Sequence, residues 1–405
     1  MIPCLQGRQP AARLLLGLCL YGSACLVHAA PFTPASDSEV VEKLPMASDP
    51  SARRVDSLRK QLAARPGDAT LRVEIARRYF ELAMAQGDPR FAGYAAAAIA
   101  PLASNPQATA EYWLVRGQLQ QYSHDFAAAL ASLAKSSELD PKSPEPISWR
   151  IAIMMVQARY PEALAEIDRL MPLADPLLGL GWKSYVRASS GELDLAYAEL
   201  SAGVKAAAGT PRAVPELMLW EYTRLAEMAQ RMGLFPQAET YYNNALKLGV
   251  TDQFLLGAYA DFLLARKRPA EVLTLLAGWE RSDILLLRLA LAGRAAGDGR
   301  AVDWASQLRE RFQAAALRGD RLHEQEAARF ELDIEGRKAQ ALELAARNYA
   351  IQKEPRDAEI LMRAALAADQ AKAAQPALDW LRTSRYEDPE LTAIAAQLVS
   401  KGATR

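Results

Sequence analysis

From Ala52 onward, apolar residues recur at i, i+3, i+4 and i+7, and runs of β-branched residues alternating at period two are few. That pattern predicts a continuous series of amphipathic helices and an all-α body. The breaks between helices are just as regular: Pro66-Gly67-Asp68, Gly87-Asp88-Pro89, Asn105-Pro106, Asp140-Pro141, Glu354-Pro355 and Asp388-Pro389. Proline removes a backbone donor and clashes with the preceding turn, so each break marks a place where one helix stops or the next begins. The N-terminal flank reads differently. An apolar run from Leu14 to Val27 follows Arg8 and Arg13, and residues 30–51 are rich in Pro, Ser and Asp without an apolar period. The latter predict an extended leader rather than a folded element.

Aligning the openings of alternate helices exposes a longer period. The segments HDFAAAL, ARYPEAL, GELDLAY, LFPQAET, KRPAEVL, GDGRAVD, GRKAQAL and AAQPALD each place a small residue just inside a helix: Ala129, Ala163, Ala196, Ala238, Val272, Ala301, Ala341 and Ala377. Their separations are 34, 33, 42, 34, 29, 40 and 36 residues. A helix-turn-helix period of 34 is the signature of one repeat class. The 42-residue interval contains a longer loop, Ala207 to Pro215, which is read as a tolerated insertion because long surface loops cost little.

On these residues the chain resembles the tetratricopeptide-repeat (TPR) family. The fullest unit, 110–143, carries Trp113 and Gly117 on its first helix, Ala129 and Leu133 on its second, and Asp140-Pro141 at its exit. Residues 219–252 keep Leu225, Ala226, Ala238, Tyr242 and Ala245, and 358–391 keep Ala365, Ala377 and Pro389, whereas the segments around Gly297 and Lys338 lack most signature residues. The resemblance implies a right-handed superhelix of antiparallel helix pairs. Its first helices would line a concave face, and terminal units would need polar caps. The stretch after Pro389 suits a capping helix, with Leu391, Ile394, Ala395 and Leu398 inward. The expected organisation is a signal peptide at 1–29, a leader at 30–51, a solenoid of about nine helix pairs at 52–391, and a capping helix with tail at 390–405.

Arg8 and Arg13, the 14-residue apolar run and the small-residue site Val27-His28-Ala29 read as a secretory signal cleaved after Ala29. The run is too short to span about 30 Å of hydrocarbon, so no membrane span is expected in the mature chain. Lipidation at Cys25 is disfavoured by Gly22, which stands where such sites carry Leu. Export points to the periplasm of a Gram-negative bacterium. The 405-residue chain is 51% hydrophobic with 48 basic and 48 acidic side chains; losing Arg8 and Arg13 leaves 46 against 48, so a polyanion-binding surface is not expected. Arg309, Arg311, Arg318 and Arg321 are offset by Glu310, Asp320, Glu324 and Glu326. Cys4, Cys19 and Cys25 all lie within the signal, which removes disulfides and thiol chemistry from the mature chain.

Catalytic constellations are correspondingly scarce, and no cofactor is implied. Of the three histidines only His124 and His323 remain after cleavage. His124 falls at a helix–helix turn and reads as a solvated turn residue, while Ala327 stands where a zinc protease following His323 would need its second histidine. Gly297-Asp-Gly299 is too short for a phosphate loop and follows no strand. The expectation is therefore no catalytic residue, no metal site, and a protein or peptide partner held in the concave groove. Two alternatives stay open: a structural subunit of an envelope or polysaccharide-export assembly, and a glycan-active solenoid enzyme. In the family, partner contacts fall mainly at repeat positions 2, 5, 9 and 12. Carried onto this chain they give Glu111, Leu114, Gln118 and Gln121, then Glu145, Ser148, Ala152 and Met155, then Trp220, Thr223, Glu227 and Gln230. Amide, aromatic and apolar side chains of this kind suit an extended or helical peptide.

Overall fold

The computed structural model describes Ser36 and residues 50–104, 108–211 and 213–403. The expected signal peptide and, apart from Ser36, Pro50 and Ser51, the expected leader lie outside the described residues; Pro50 and Ser51 open the first helix. The chain divides into two units, Met1–Asp49 and Pro50–Arg405, and the helices of the described residues lie in the second.

Among the described residues there are twenty α-helices. After α1 (Pro50–Ala64), nine pairs follow: α2 (Ala69–Gln86) with α3 (Pro89–Ile99), α4 (Ala110–Tyr122) with α5 (Phe126–Leu139), α6 (Glu145–Val156) with α7 (Tyr160–Leu170), α8 (Pro176–Ala188) with α9 (Leu193–Ala207), and α10 (Pro215–Arg231) with α11 (Phe235–Lys247). Then come α12 (Gln253–Ala265) with α13 (Pro269–Leu275), α14 (Asp283–Ala296) with α15 (Arg300–Leu317), α16 (Glu324–Asp333) with α17 (Lys338–Tyr349), and α18 (Pro355–Ala367) with α19 (Gln375–Ser384). Helix α20 (Pro389–Ala403) ends the array.

Starts and reversals have local causes. The side chains of Asp68, Asp88, Thr109, Asp125, Asp175, Asp252 and Ser282 each accept a backbone N–H of the helix they precede, supplying a partner for donors that the helix cannot satisfy itself. Between the helices of each pair one residue adopts positive φ: Gly87, His124, Ala158, Gly191, Gly233, Lys267, Gly297, Gly336 and Asp369. This left-handed residue turns the chain back on itself, so each pair is a tight hairpin.

The small residues that set the sequence period sit at the helix–helix contacts. Ala129, Ala163, Ala196, Ala238, Val272, Ala341 and Ala377 have no exposed surface. Ala301 is half-buried, and its Cβ lies 3.1 Å from where a side chain on Gly293 would begin. A Cβ on Gly117 would fall 2.7 Å from Leu133 Cγ, so glycine is required for that close approach. At the end of the array Leu391 and Leu398 are buried, with Ile394 and Ala395 packed beside them.

Successive first helices (α4 and α6, α8 and α10, α12 and α14, α16 and α18) pack on one another as well as on their own partners, which places them on the inside of the curve. The curve is tight. The α2–α3 turn at Gly87 rests on Gln253 and Ser282, which start α12 and α14. The α4–α5 turn meets Gln352 through His124, and the α6–α7 turn binds the segment before α18 through Lys353 N–H to Val156 C=O at 2.7 Å. The α8–α9 turn receives Glu387, whose carboxylate accepts Leu193 N–H at 2.7 Å. Each turn thus contacts a segment five to seven pairs further along, so the later pairs stack edge-to-edge on the earlier ones.

Candidate binding site on the inner wall

The inner face of the middle pairs carries a connected set of charges. Asp261 on α12 accepts from Arg288 on α14 at 2.6 Å and from Arg329 on α16 at 2.7 Å. Asp333 on α16 accepts from Arg363 on α18 at 2.6 Å. Burial alone would lift the Asp261 pKa, but the two guanidiniums prevail and hold the carboxyl well below the ordinary range. The Arg288 side chain is only 2% exposed, so Asp261 is the anion that allows a guanidinium to be buried there.

Next to this ion chain lies a second cluster with a different character. The Arg224 guanidinium on α10 sits 3.6 Å above the Tyr185 ring and 5.3 Å from the Trp220 ring, and Trp220 meets Trp182 at 4.6 Å between centroids. Arg224 pairs with Glu227 at 3.2 Å, yet its Nε has no partner. Glu227 also reaches Arg356, at the start of α18, at a loose 3.8 Å. Charges on Glu354, Glu227, Asp261 and Glu326, from several elements, all act on Arg356. Its side chain nevertheless keeps 39% of its surface open, and Arg224 keeps 21%. Both guanidiniums therefore remain within reach of solvent.

The residues expected to meet a partner fall into two groups. Leu114, Gln118 and Met155 are buried. Gln118 donates to Glu145 at 3.1 Å and so ties α4 to α6. Gln121 and Ser148 are half-buried and Glu111 is exposed at the start of α4. On α10, Trp220, Thr223, Glu227 and Gln230 are all half-buried. Thr223 bonds its own helix at Leu219, and Gln230 accepts from Tyr242 at 3.5 Å. The structure therefore joins Trp220 and Glu227 to Tyr185, Arg224 and Arg356, three residues that the family positions did not supply. Arg224 stands one residue beyond an assigned position, and Arg356 opens a unit for which no contact register was assigned; basic residues on first helices were the available signal.

His124 is also not a free turn residue. Its Nε2 is 2.7 Å from the Gln352 amide nitrogen. Burial, reinforced by the nearby His323, lowers its pKa to about 4. Among the described residues no group of three or more His, Cys, Asp and Glu is arranged to hold a metal ion. No helix of the described residues is long and apolar enough to cross a membrane.

No protein-family model matches the sequence, and no curated protein matches it. Among solved structures, the chain is similar to yeast Tom70 at 11% identity, over 87% of this chain and 59% of that one, with a TM-score of 0.36. It is also similar to a monomeric mutant of IFIT1 with Gppp-AAAA at 11% identity, over 88% of this chain and 84% of that one, with a TM-score of 0.34. The chain thus spans about three fifths of the Tom70 chain it matches.

Proposed function

We propose that the protein is a non-enzymatic binding scaffold, exported to the periplasm, that holds a segment of a partner protein against the inner wall of its superhelix. The observation that carries this reading is the cluster of Trp220, Tyr185, Arg224, Glu227 and Arg356. It offers flat aromatic surface, one guanidinium that keeps 21% of its side chain open and another held by a single long ion pair. Stacking and partly satisfied donors favour recognition of peptide groups, and a polypeptide supplies both flat amides and acceptor oxygens. A ligand there competes with the Glu227–Arg356 pair, which is loose enough to yield.

The test compares the intact protein with an Arg224→Ala/Trp220→Ala variant as bait in periplasmic extract, with Arg382→Ala, at an exposed position of α19, as a surface control. A defined protein retained by the wild type and the surface control but lost from the inner-wall variant supports the proposal. Equal recovery by all three baits, or no specific protein with any of them, removes it.

A further inference from the structure

The α4–α5 turn meets the later pairs through a histidine. His124 is half-buried with its Nε2 2.7 Å from the Gln352 amide nitrogen, and Ile351 packs on the cluster of Leu114, Phe126 and Leu133. One residue further, Lys353 N–H donates to Val156 C=O at 2.7 Å. Three consecutive residues of the later turn, 351–353, therefore dock together on the earlier one.

With the amide nitrogen nearest, neutral His124 accepts at Nε2, and a proton there sets donor against donor. Turning the Gln352 amide restores an acceptor but leaves the charge away from water. The surrounding charges do not compensate. From the α15–α16 loop and α16, Asp320, Glu324 and Glu326 favour a charged imidazole, but His323 opposes it more strongly than any one of them. Glu324 is engaged by Arg321 at 3.4 Å and Arg347 at 3.0 Å, Asp320 by Arg318 at 3.9 Å, and Glu326 by His323 itself at 4.0 Å. On the turn, Asp125 caps α5 by accepting Ala128 N–H. Asp88 and Asp283, which act on nearby Tyr122, are paired with Arg90 and Arg311.

We propose that this contact is an acid-operated latch: protonation of His124 releases residues 351–353 from the α4–α5 turn and opens that stretch of the seam while the helices stay folded. Burial and His323 lower the His124 pKa to about 4, whereas in the opened latch the exposed ring returns to near 6.5. The opened form binds the proton more tightly, so opening is favoured progressively as pH falls from about 6.5 toward 4. Between pH 7.5 and 4.5 these two values raise the opening equilibrium by about 30–100-fold. The latch does not rest on the function proposed for the inner wall.

The Lys353 amide reads the latch directly, because it bonds across the seam. Deuterium exchange of the full chain, followed by mass spectrometry at pH 7.5 and 4.5 and corrected for intrinsic rates, measures its protection. Peptides spanning Lys353 should lose protection by about 30–100-fold on acidification, while those from α12 keep theirs within about 3-fold. His124→Asn tolerates the positive φ and should hold the change at Lys353 to within about 3-fold. His323→Gln removes the opposing charge and should show a smaller loss than wild type. An undiminished loss in either variant, a loss of the same size in α12, or no loss in wild type would each overturn the proposal.

Discussion

Trp380 donates its indole N–H to the Tyr160 hydroxyl at 3.0 Å across 220 residues of sequence, and both side chains are 7% exposed. The bond joins the first residue of α7 to α19, so it fastens the later turn of the superhelix onto the earlier one. It stands in series with Lys353–Val156, a backbone pair, and with the Glu387 carboxylate accepting Leu193 N–H, which close the same seam. Removing the acceptor while keeping the ring isolates its contribution. Tyr160→Phe leaves a buried indole donor without a partner and should cost about 1–3 kcal/mol. Urea unfolding followed by circular dichroism measures the loss. A midpoint unchanged from wild type would mean that the seam does not depend on this bond.

Glu221 presents a second buried polar group, with the opposite requirement. It has no exposed surface, neither carboxylate oxygen has a partner, and it occupies the space that a side chain on Gly181 would need. Burial raises its pKa well above the ordinary value, against the weaker opposing pull of Arg224. The folded protein therefore holds a proton that the unfolded chain releases above about pH 4.5, and stability falls as pH rises from there toward the raised folded value. Glu221→Met keeps the volume and removes the group. At pH 7.5 it should stabilise by about 1–3 kcal/mol, and its advantage over wild type should grow with pH across urea titrations. Gly181→Ala forces a methyl group into the carboxyl and should destabilise by a similar amount, about 1–3 kcal/mol. An advantage of Glu221→Met that does not vary with pH would contradict the protonated assignment.

His124 imposes a slope of the other sign. Its pKa is lowered to about 4 by burial and by His323, with Glu326, Asp320 and Glu324 opposing. The unfolded chain takes up a proton near pH 6.5 that the folded one refuses until about pH 4, so stability is lost as pH falls through that window. Between pH 4.5 and 6.5 the slopes from His124 and Glu221 partly cancel in the wild type, and single variants are needed to separate them. The φ of 59° at His124 makes asparagine the suitable replacement, because asparagine tolerates the left-handed region. His124→Asn should match wild type within about 1 kcal/mol at pH 7.5 and gain on the order of 1–2 kcal/mol at pH 4.5, read from urea midpoints at the two values. Parallel losses in both proteins on acidification would assign the effect to other groups.

Much of the repeat body was legible because its determinants are local. A small residue inside each second helix marks a close contact, and seven of the eight identified this way have no exposed surface. Gly117 against Leu133, and Leu391 with Leu398 in the terminal helix, were readable for the same reason. The tight winding was not, because it is written in pairings such as Lys353 N–H with Val156 C=O, and backbone groups carry no residue signature. Met155 and Trp220, by contrast, are packed by adjacent helices, with Trp220 against Trp182. The winding gave His124 its partner, Gln352, 228 residues away. Arg329 and Arg356 escaped because they belong to units where no contact register was assigned, and Arg224 because it stands one residue beyond the assigned Thr223.

The inner-wall charges divide into those that hold the fold and those free to bind, and the two kinds should respond differently to mutation. Asp261 bonds Arg288 and Arg329 at 2.6 and 2.7 Å, and the Arg288 side chain is 2% exposed. Asp261→Ala strands a buried guanidinium and should cost about 3–5 kcal/mol. Replacing both members, as in Asp261→Leu/Arg288→Met, removes the stranded charge and should recover most of that loss. Arg356→Ala removes only a 3.8 Å pair from a side chain that is 39% exposed, and should change stability by less than about 1 kcal/mol. If the inner-wall cluster is the binding surface, Arg356→Ala weakens partner capture while leaving the melting temperature near wild type. Thermal unfolding and quantitative capture on the same preparations give both readings. Equal destabilisation by Asp261→Ala and Arg356→Ala would mean that Arg356 is held as tightly as Arg288, and the cluster would then be part of the structural ion chain.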